Sequence, residues 1–589
     1  MWARDLRGSR CHRDHVCAGP NRHQARSRAS SRETVPWLSG SGMSWVPRLA
    51  GMVTSARDGA PLTWADLQHL DTRTPVIVGV GQASERVGEP GCAALSPVAL
   101  AAAAARTALR DALASSASDA PALNTDADLA RLAERIDVVG VVRQFEDCGL
   151  EAPTPLGHAD NVPRAVASRI GASPTRAVLA VGGGQSPHDL VVEFAAEINA
   201  GRCEFALLAG AEALSSARYW AGRPESERPD WSETVGGDIE DRGPGLSDMT
   251  SPRQAALGLD HAPAAYALFE NARRARLGTS RAEYAASMGE LFAPFTQVAA
   301  GNSHAAAPNM RTAEELVTVT DRNRLITEPY PRFVVARDQV NQGAAVLLTS
   351  LGVARDLGLD AARLVFCHGH ACVKERPLVE RADLSTSRAV ELAVQTVLAE
   401  AGITADDLDL LDIYSCFPIA VSVVIEALGL DPADERGFTV TGGLPFFGGP
   451  GNDYAMHSLA EMVDRLRARP GARGLVTANG GILSSQSMGI WSTAPAPWRP
   501  GRDRELAAEV SSWSSPQVTD SPSGEARIAT YTVVHDRDGA RRGIVVGRTR
   551  SDERFVAAAA DEPDMWAVLD SDQPIGTCVH VSDDGLVHA

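Results

Sequence analysis

No run of this 589-residue chain is apolar and long enough to read as a membrane span. The most apolar helical stretch, 97–114, is mostly alanine and carries Arg106, Arg110 and Asp111. An excess of positive charge is missing too. The formal net charge of −18 argues against general nucleic-acid binding and against adhesion to an anionic membrane surface. Cysteine is sparse, nine residues scattered along the whole chain, which excludes a dense disulfide framework and fits a reducing cytoplasm. No apolar h-region stands near the first methionine, so no secretory signal is read. What is present, 44% hydrophobic and 22% charged residues, is the composition of a soluble globular protein large enough for several domains.

Residues 1–72 are rich in Arg, Ser and Gly without a sustained apolar period. They are expected to be a disordered extension or an over-long start, with Met43 and Met52 as candidate starts. From Thr74 the pattern is regular. Pro75-Val-Ile-Val-Gly-Val-Gly81 reads as a buried strand, an alanine-rich helix follows Ser96, and 136–142 and 176–181 read as further strands. After the Gly182-Gly183-Gly184 turn a helix is expected over 186–200, with Leu190, Val191, Phe194 and Ile198 on one face, then a strand over 204–210. The alternation predicts an α/β layered sheet.

The segment 215–328 breaks the rhythm and carries two amphipathic helical patches, as an insertion covering a binding site would. Strand and helix then resume and loosely repeat the first set up to residue 497. Short strands joined by Asp/Gly turns predict a small, separate, barrel-like β domain over 498–589. The expected domains are therefore 73–350, 351–497 and 498–589.

Local phrases give this organisation a family resemblance. The stretch from Ala200-Gly-Arg to Leu208-Ala-Gly-Ala-Glu212, and Asn341-Gln-Gly-Ala-Ala345, are similar to phrases of the thiolase superfamily. Tyr414-Ser-Cys-Phe417 sits where sterol-carrier-protein-type thiolases have His-Asp-Cys-Phe, and Gly448-Gly449-Pro450 resembles the Gly-His-Pro loop. The resemblance covers roughly 74–497 and implies a layered αβαβα core of two halves. It further implies acyl-CoA acyltransferase ancestry of the acetyl-CoA acetyltransferase kind, and a homodimer or homotetramer.

Thiolase chemistry needs a cysteine whose pKa is lowered at a helix start, a histidine base and a second cysteine. By the resemblance these positions fall on Gly184, Gly449 and Ala478, and the residue that positions the oxyanion-hole water falls on Tyr414. Ordinary thiolysis or condensation thus has no identifiable machinery. Ser186, Tyr414 and Cys416 remain as candidates for an altered acyl transfer. Gly183, Gly184, Gln185, His304, Gly449, Asn479 and Gly480 are candidate ligand-binding residues. The glycine turn can offer backbone N–H groups to an anion or oxyanion, or be simply a tight turn.

An acyl-CoA ligand is itself strongly anionic, so its site in this acidic chain must be locally basic or lined with N–H groups. The ligand expected is acyl-CoA or a lipid-like molecule, as substrate or cargo, with no separate cofactor. The alternative is a non-catalytic binding module or a scaffold for a partner enzyme. Cys367-His-Gly-His-Ala-Cys372 puts His368, His370 and Cys372 on one strand face, but no partner ligand is evident and no metal is expected. Cys11, His12, His15 and Cys17 form a weaker group inside the extension.

Overall fold

The computed structural model describes residues 61–116, 125–149, 153–245 and 250–589. A first sheet is built from β1 (Pro75–Glu85), β2 (Val138–Val141), β3 (Arg176–Leu179), β4 (Phe205–Ala213) and β5 (Asn341–Ser350). Their order is β1-β5-β4-β2-β3. β2 runs parallel to β3 and β4, while β5 is antiparallel to β1 and β4. A second sheet contains β6 (Phe366–Lys374), β7 (Leu410–Asp412), β8 (Arg473–Gly480) and β9 (Ser485–Ser492), in the order β7-β8-β9-β6. Here β7 is parallel to β8, and β9 is antiparallel to β8 and β6. Order and direction match strand for strand, β6 with β1, β9 with β5, β8 with β4 and β7 with β2. The repeat suggested by the sequence is thus a repeat of hydrogen-bonding topology.

The helices that complete the layers and cover them are α1 (Pro97–Ala112), α2 (Ser186–Asn199), α3 (Ala262–Leu277), α4 (Arg281–Gly301), α5 (Arg388–Ala401), α6 (Pro418–Leu428) and α7 (Tyr454–Ala468). α1 begins where Ser96 caps the N–H of Ala99 and Pro97 takes the first turn. Its alanines let it lie against β1, whose Gly79 and Gly81 are required because a Cβ at either would strike carbonyl oxygens of α1. α2 and α7 form the middle layer. Leu190, Phe194 and Ile198 of one, and Met456, Leu459 and Val463 of the other, share a core with Val138, Leu208 and Val476 of both sheets. With α1 outside the first sheet and α5 against the second, the arrangement is αβαβα. α3 and α4 arise from the covering insertion.

The C-terminal strands β10 (Gly524–His535), β11 (Arg541–Thr549), β12 (Arg554–Ala558), β13 (Cys578–Val581) and β14 (Val587–His588) follow the order β12-β11-β10-β13-β14. A bridge between Ala559 and Val587 brings the two ends together, so the sheet is barrel-like as expected. Two helices, Asp503–Ser512 and Pro563–Asp570, were not foreseen in this region. Nor does the region stand apart. Thr327 of the insertion pairs with Val534 of β10, Asn271 of α3 donates to the Tyr531 carbonyl at 3.0 Å, and Thr530 donates to the Leu268 carbonyl at 2.6 Å. Apolar packing joins it as well: Ile544, Val546 and Val556 of β11 and β12 share a core with Leu268 and Phe269 of α3.

The expected boundary at residue 72 also moves. Leu67 is buried and Trp64 donates its indole N–H to the Leu359 carbonyl, so 61–72 belong to the folded core. The remainder of the expected extension, with Cys11, His12, His15 and Cys17, lies outside the described residues. Among the described residues no helix is long and apolar enough to cross a membrane.

Candidate functional site

The starts of the two middle helices, the connection from β7 to α6 and the end of β8 meet around a cavity of about 490 Å³. Gly183 and Gly184 enter it ahead of α2, and Gly449, Gly451 and Asn452 enter ahead of α7. Tyr414, Cys416 and Phe417 come from the β7–α6 connection, and Asn479 and Gly480 from β8. The cover adds Tyr266 of α3 together with Arg311, Arg332 and Arg337. Of the expected site residues, the cavity therefore gathers Gly183, Gly184, Tyr414, Cys416, Gly449, Asn479 and Gly480.

The turn before α2 is tied to its counterpart before α7. Gly183, at φ +124°, donates its N–H to Asn452 Oδ1 at 2.9 Å, and Asn452 donates onward to the Arg143 carbonyl at 2.7 Å. Gly184 is interlocked with a different residue. A Cβ there would collide with the Tyr414 hydroxyl oxygen and lie 2.6 Å from both Tyr414 Cζ and the Asn479 carbonyl oxygen. The space a side chain at position 184 would take is thus filled by Tyr414. Gly449 differs, because a Cβ there meets nothing nearer than Leu444 at 3.3 Å. One position is plugged, while at the other only the Leu444 side chain would have to shift by a few tenths of an ångström.

Tyr414 stands edge-on to Tyr454, with ring centroids 5.4 Å apart. Burial raises the pKa of its hydroxyl, followed by the influence of Cys416, so the group stays protonated and is no base. Cys416 is 8% exposed, and burial pushes its thiol up to about 12 despite Asn479 Nδ2 at 3.7 Å. Asn479 also donates to Tyr266 Oη at 2.8 Å and accepts from Gln486 at 3.0 Å. Tyr266 in turn holds the Gly481 carbonyl and the Leu483 N–H, both at 3.0 Å, which fixes the turn after β8.

Among the described residues no histidine lines this cavity. At pH 7.5 a thiol of pKa about 12 is ionised in roughly one molecule in 10⁴–10⁵, against about one in ten for an ordinary cysteine. Iodoacetamide on the folded protein is accordingly expected to label exposed Cys578 and leave Cys416 unmodified by peptide mass mapping. Labelling of Cys416 as fast as Cys578 would refute this account and restore it as a nucleophile.

Several expected residues lie elsewhere. Ser186 is buried in the first turn of α2 and does not reach the cavity; its hydroxyl has no partner among the described residues. Gln185 is likewise buried, with its amide packed behind Gly183 and Gly480. Ala478 is wholly buried in β8, where strand alternation gives the cavity Asn479 instead. His304 is hydrogen-bonded to Ser84 at 3.0 Å and lines a neighbouring polar cavity of about 270 Å³, which shares Arg337 and Gln339 with the main one.

His188 is held by Ser487 at 2.8 Å, and burial lowers its pKa to about 3, so it is neutral. His457 is buried against Gln82 at 2.7 Å. His368, His370 and Cys372 have separate partners, the Ala494 carbonyl, the Arg499 carbonyl and Asp189. No group able to hold a metal exists among the described residues.

The arginines were missed in the sequence, although the demand for a locally basic site pointed to such residues. Arg311 lies over the ring of Phe333, 4.0 Å from its centroid. Among the described residues none of the three forms an ion pair. Burial, and then the charge of Arg332 and, more weakly, Arg311, lower the pKa of Arg337, while Asp338, which with Asp260 also lines the cavity, acts against them. Like charges kept together in a chain of net charge −18 favour an anion. Tyr266 gave no sequence signal at all, since it is brought to Asn479 across 213 residues.

Residues 505–586 match the family described as thiolase-like protein type 1 additional C-terminal domain, and residues 370–493 match thiolase C-terminal domain-like. No curated protein matches the chain. Among solved structures, a monomeric SCP2-thiolase-like protein type 1 from Mycobacterium smegmatis is 41% identical, with a TM-score of 0.73, over 87% of this chain and 98% of its own. The dimeric peroxisomal thiolase of Saccharomyces cerevisiae (17% identity, TM-score 0.51) and the Ltp2–ChsH2(DUF35) aldolase (19%, TM-score 0.50) each cover 72% of this chain and 98% of their own, and share the fold. The chain belongs to the thiolase-like protein type 1 family, with the additional C-terminal domain of that type.

Proposed function

We propose that the chain binds acyl-CoA-type thioesters in the main cavity and holds them without thiolase turnover. The observation that carries this reading is the set of three guanidinium groups without ion-pair partners on a cavity of about 490 Å³. Phosphate groups are the anions such planar donors match best, and the volume lies in the range of small-molecule sites. Tyr414 filling the space at position 184, a thiol held protonated and the lack of a histidine among the described residues of the cavity speak against acyl transfer.

The test is thermal melting of the purified chain against CoA and a panel of its esters. A ligand that binds only the folded state stabilises it by about 2.7 kcal/mol at 100 times its Kd, so the melting temperature is expected to climb with concentration. If no ester moves it, binding is disproved and a scaffold role toward a partner enzyme takes its place.

For assembly, we read a monomer, as the M. smegmatis protein is, in place of the homodimer or homotetramer expected from the sequence. The outer edge of β3 is closed by the chain's own Glu240–Asp241, paired in parallel with Val178 and Leu179 and braced by Arg176 to Glu240 at 2.8 Å. A covered edge cannot template pairing with a second sheet. Light scattering at twice the chain mass would overturn the monomer.

A further inference from the structure

Next to the main cavity lies a second one of about 220 Å³, lined by Val98, Leu214, Ala217 and Trp231 and by the charged or polar groups of Glu146, Glu212, Arg218 and His158. The partition between the two is thin. Phe145 lines the main cavity while its chain neighbour Glu146 lines the second. Gly451 lines the main cavity, and a Cβ on it would strike the Glu212 carboxylate, which lines the second. Glu212 Oε1 also accepts the Phe145 N–H at 2.7 Å, so the partition is a single hydrogen-bonded layer. The Phe145 ring is half-buried and belongs to none of the hydrophobic cores. Turning it aside breaks little packing.

We propose that the second cavity is a chamber for the far end of a long acyl chain, with Phe145 as the residue that controls passage into it. The proposal rests on the acyl-CoA reading above and adds the substrate class: esters whose chains outgrow the main cavity. Its apolar side chains gain by covering methylenes.

The experiment measures the Kd of CoA, acetyl-CoA and dodecanoyl-CoA for the wild-type chain, for Ala217→Phe and for Phe145→Ala. Ala217 lines only this chamber, so filling it should weaken dodecanoyl-CoA at least tenfold and leave CoA and acetyl-CoA within twofold. Phe145→Ala should raise the preference for dodecanoyl-CoA over acetyl-CoA at least threefold. Unchanged dodecanoyl-CoA affinity in an Ala217→Phe chain that binds CoA normally overturns the chamber and leaves the acyl-CoA reading standing. A wild-type chain that binds neither CoA nor any ester overturns both. Should Ala217→Phe lose CoA as well, its fold has failed and the Phe145→Ala preference decides: a rise supports the chamber, no change rejects it.

Discussion

Gly184→Cys, which puts a cysteine where the resemblance to thiolases would place their nucleophile, is expected to destabilise the chain by about 2–3 kcal/mol and to yield no thiolysis. The new Cβ would meet the Tyr414 hydroxyl oxygen in overlap, with Tyr414 Cζ and the Asn479 carbonyl oxygen each at 2.6 Å. The carbonyl belongs to β8, where Asn479 pairs with Gln486 of β9, so the strand holds it in place. Tyr414→Phe should not relieve the clash, because Cζ remains. Tyr414→Ala should relieve part of it, so the double variant is expected to melt higher than the two single losses added together predict. Strict additivity in that cycle would show that Tyr414 is not what closes the position. Activity stays absent in either background, because Gly449 supplies no base and no histidine among the described residues lines the cavity.

This interlock shows what the sequence could and could not reveal. The missing cysteine at the turn 183–187 is visible in one line of letters; its replacement by a tyrosine 230 residues away is not, because only the fold places Tyr414 against Gly184. The layers themselves were legible because each has a local cause. Gly79 and Gly81 sit where α1 presses on β1, and Ser96-Pro97 starts that helix. The middle helices carry apolar residues on more than one face because they are enclosed by both sheets.

Site residues were legible where backbone conformation dictates identity, as at Gly183, and illegible where only facing matters. Ser186 is next to the turn in sequence yet points into the core. His304 lies one cavity away from its expected place. The C-terminal domain's docking was hidden for a related reason. Asn271 and Thr530 join it to α3 through single polar bonds beside the shared apolar core, and α3 carries Tyr266 and, through Glu270, accepts the Ile419 N–H at the start of α6. The added domain thus braces the helix that fixes two walls of the cavity.

Replacing Arg311, Arg332 and Arg337 together by alanine is expected to weaken CoA binding by a thousandfold or more. A hydrogen bond to a charged group contributes about 1.5–3 kcal/mol, so each arginine that reaches a phosphate is worth roughly ten- to a hundredfold. The binding of the wild-type chain should fall with added salt, and that dependence should flatten in the triple variant. The sign of the effect on the unliganded protein separates this account from simple damage to the fold. In the free chain the three groups have no ion-pair partner among the described residues, and burial and the charges of Arg332 and Arg311 outweigh the attraction of Asp338 on Arg337. Removing Arg337 alone should therefore leave the unliganded melting temperature unchanged or raise it while CoA affinity drops. An Arg337→Ala chain that melts lower without ligand would make the arginine a structural strut. A triple variant that binds CoA like the wild type would remove the phosphates from this cavity altogether, and with them the reason for reading it as an acyl-CoA site.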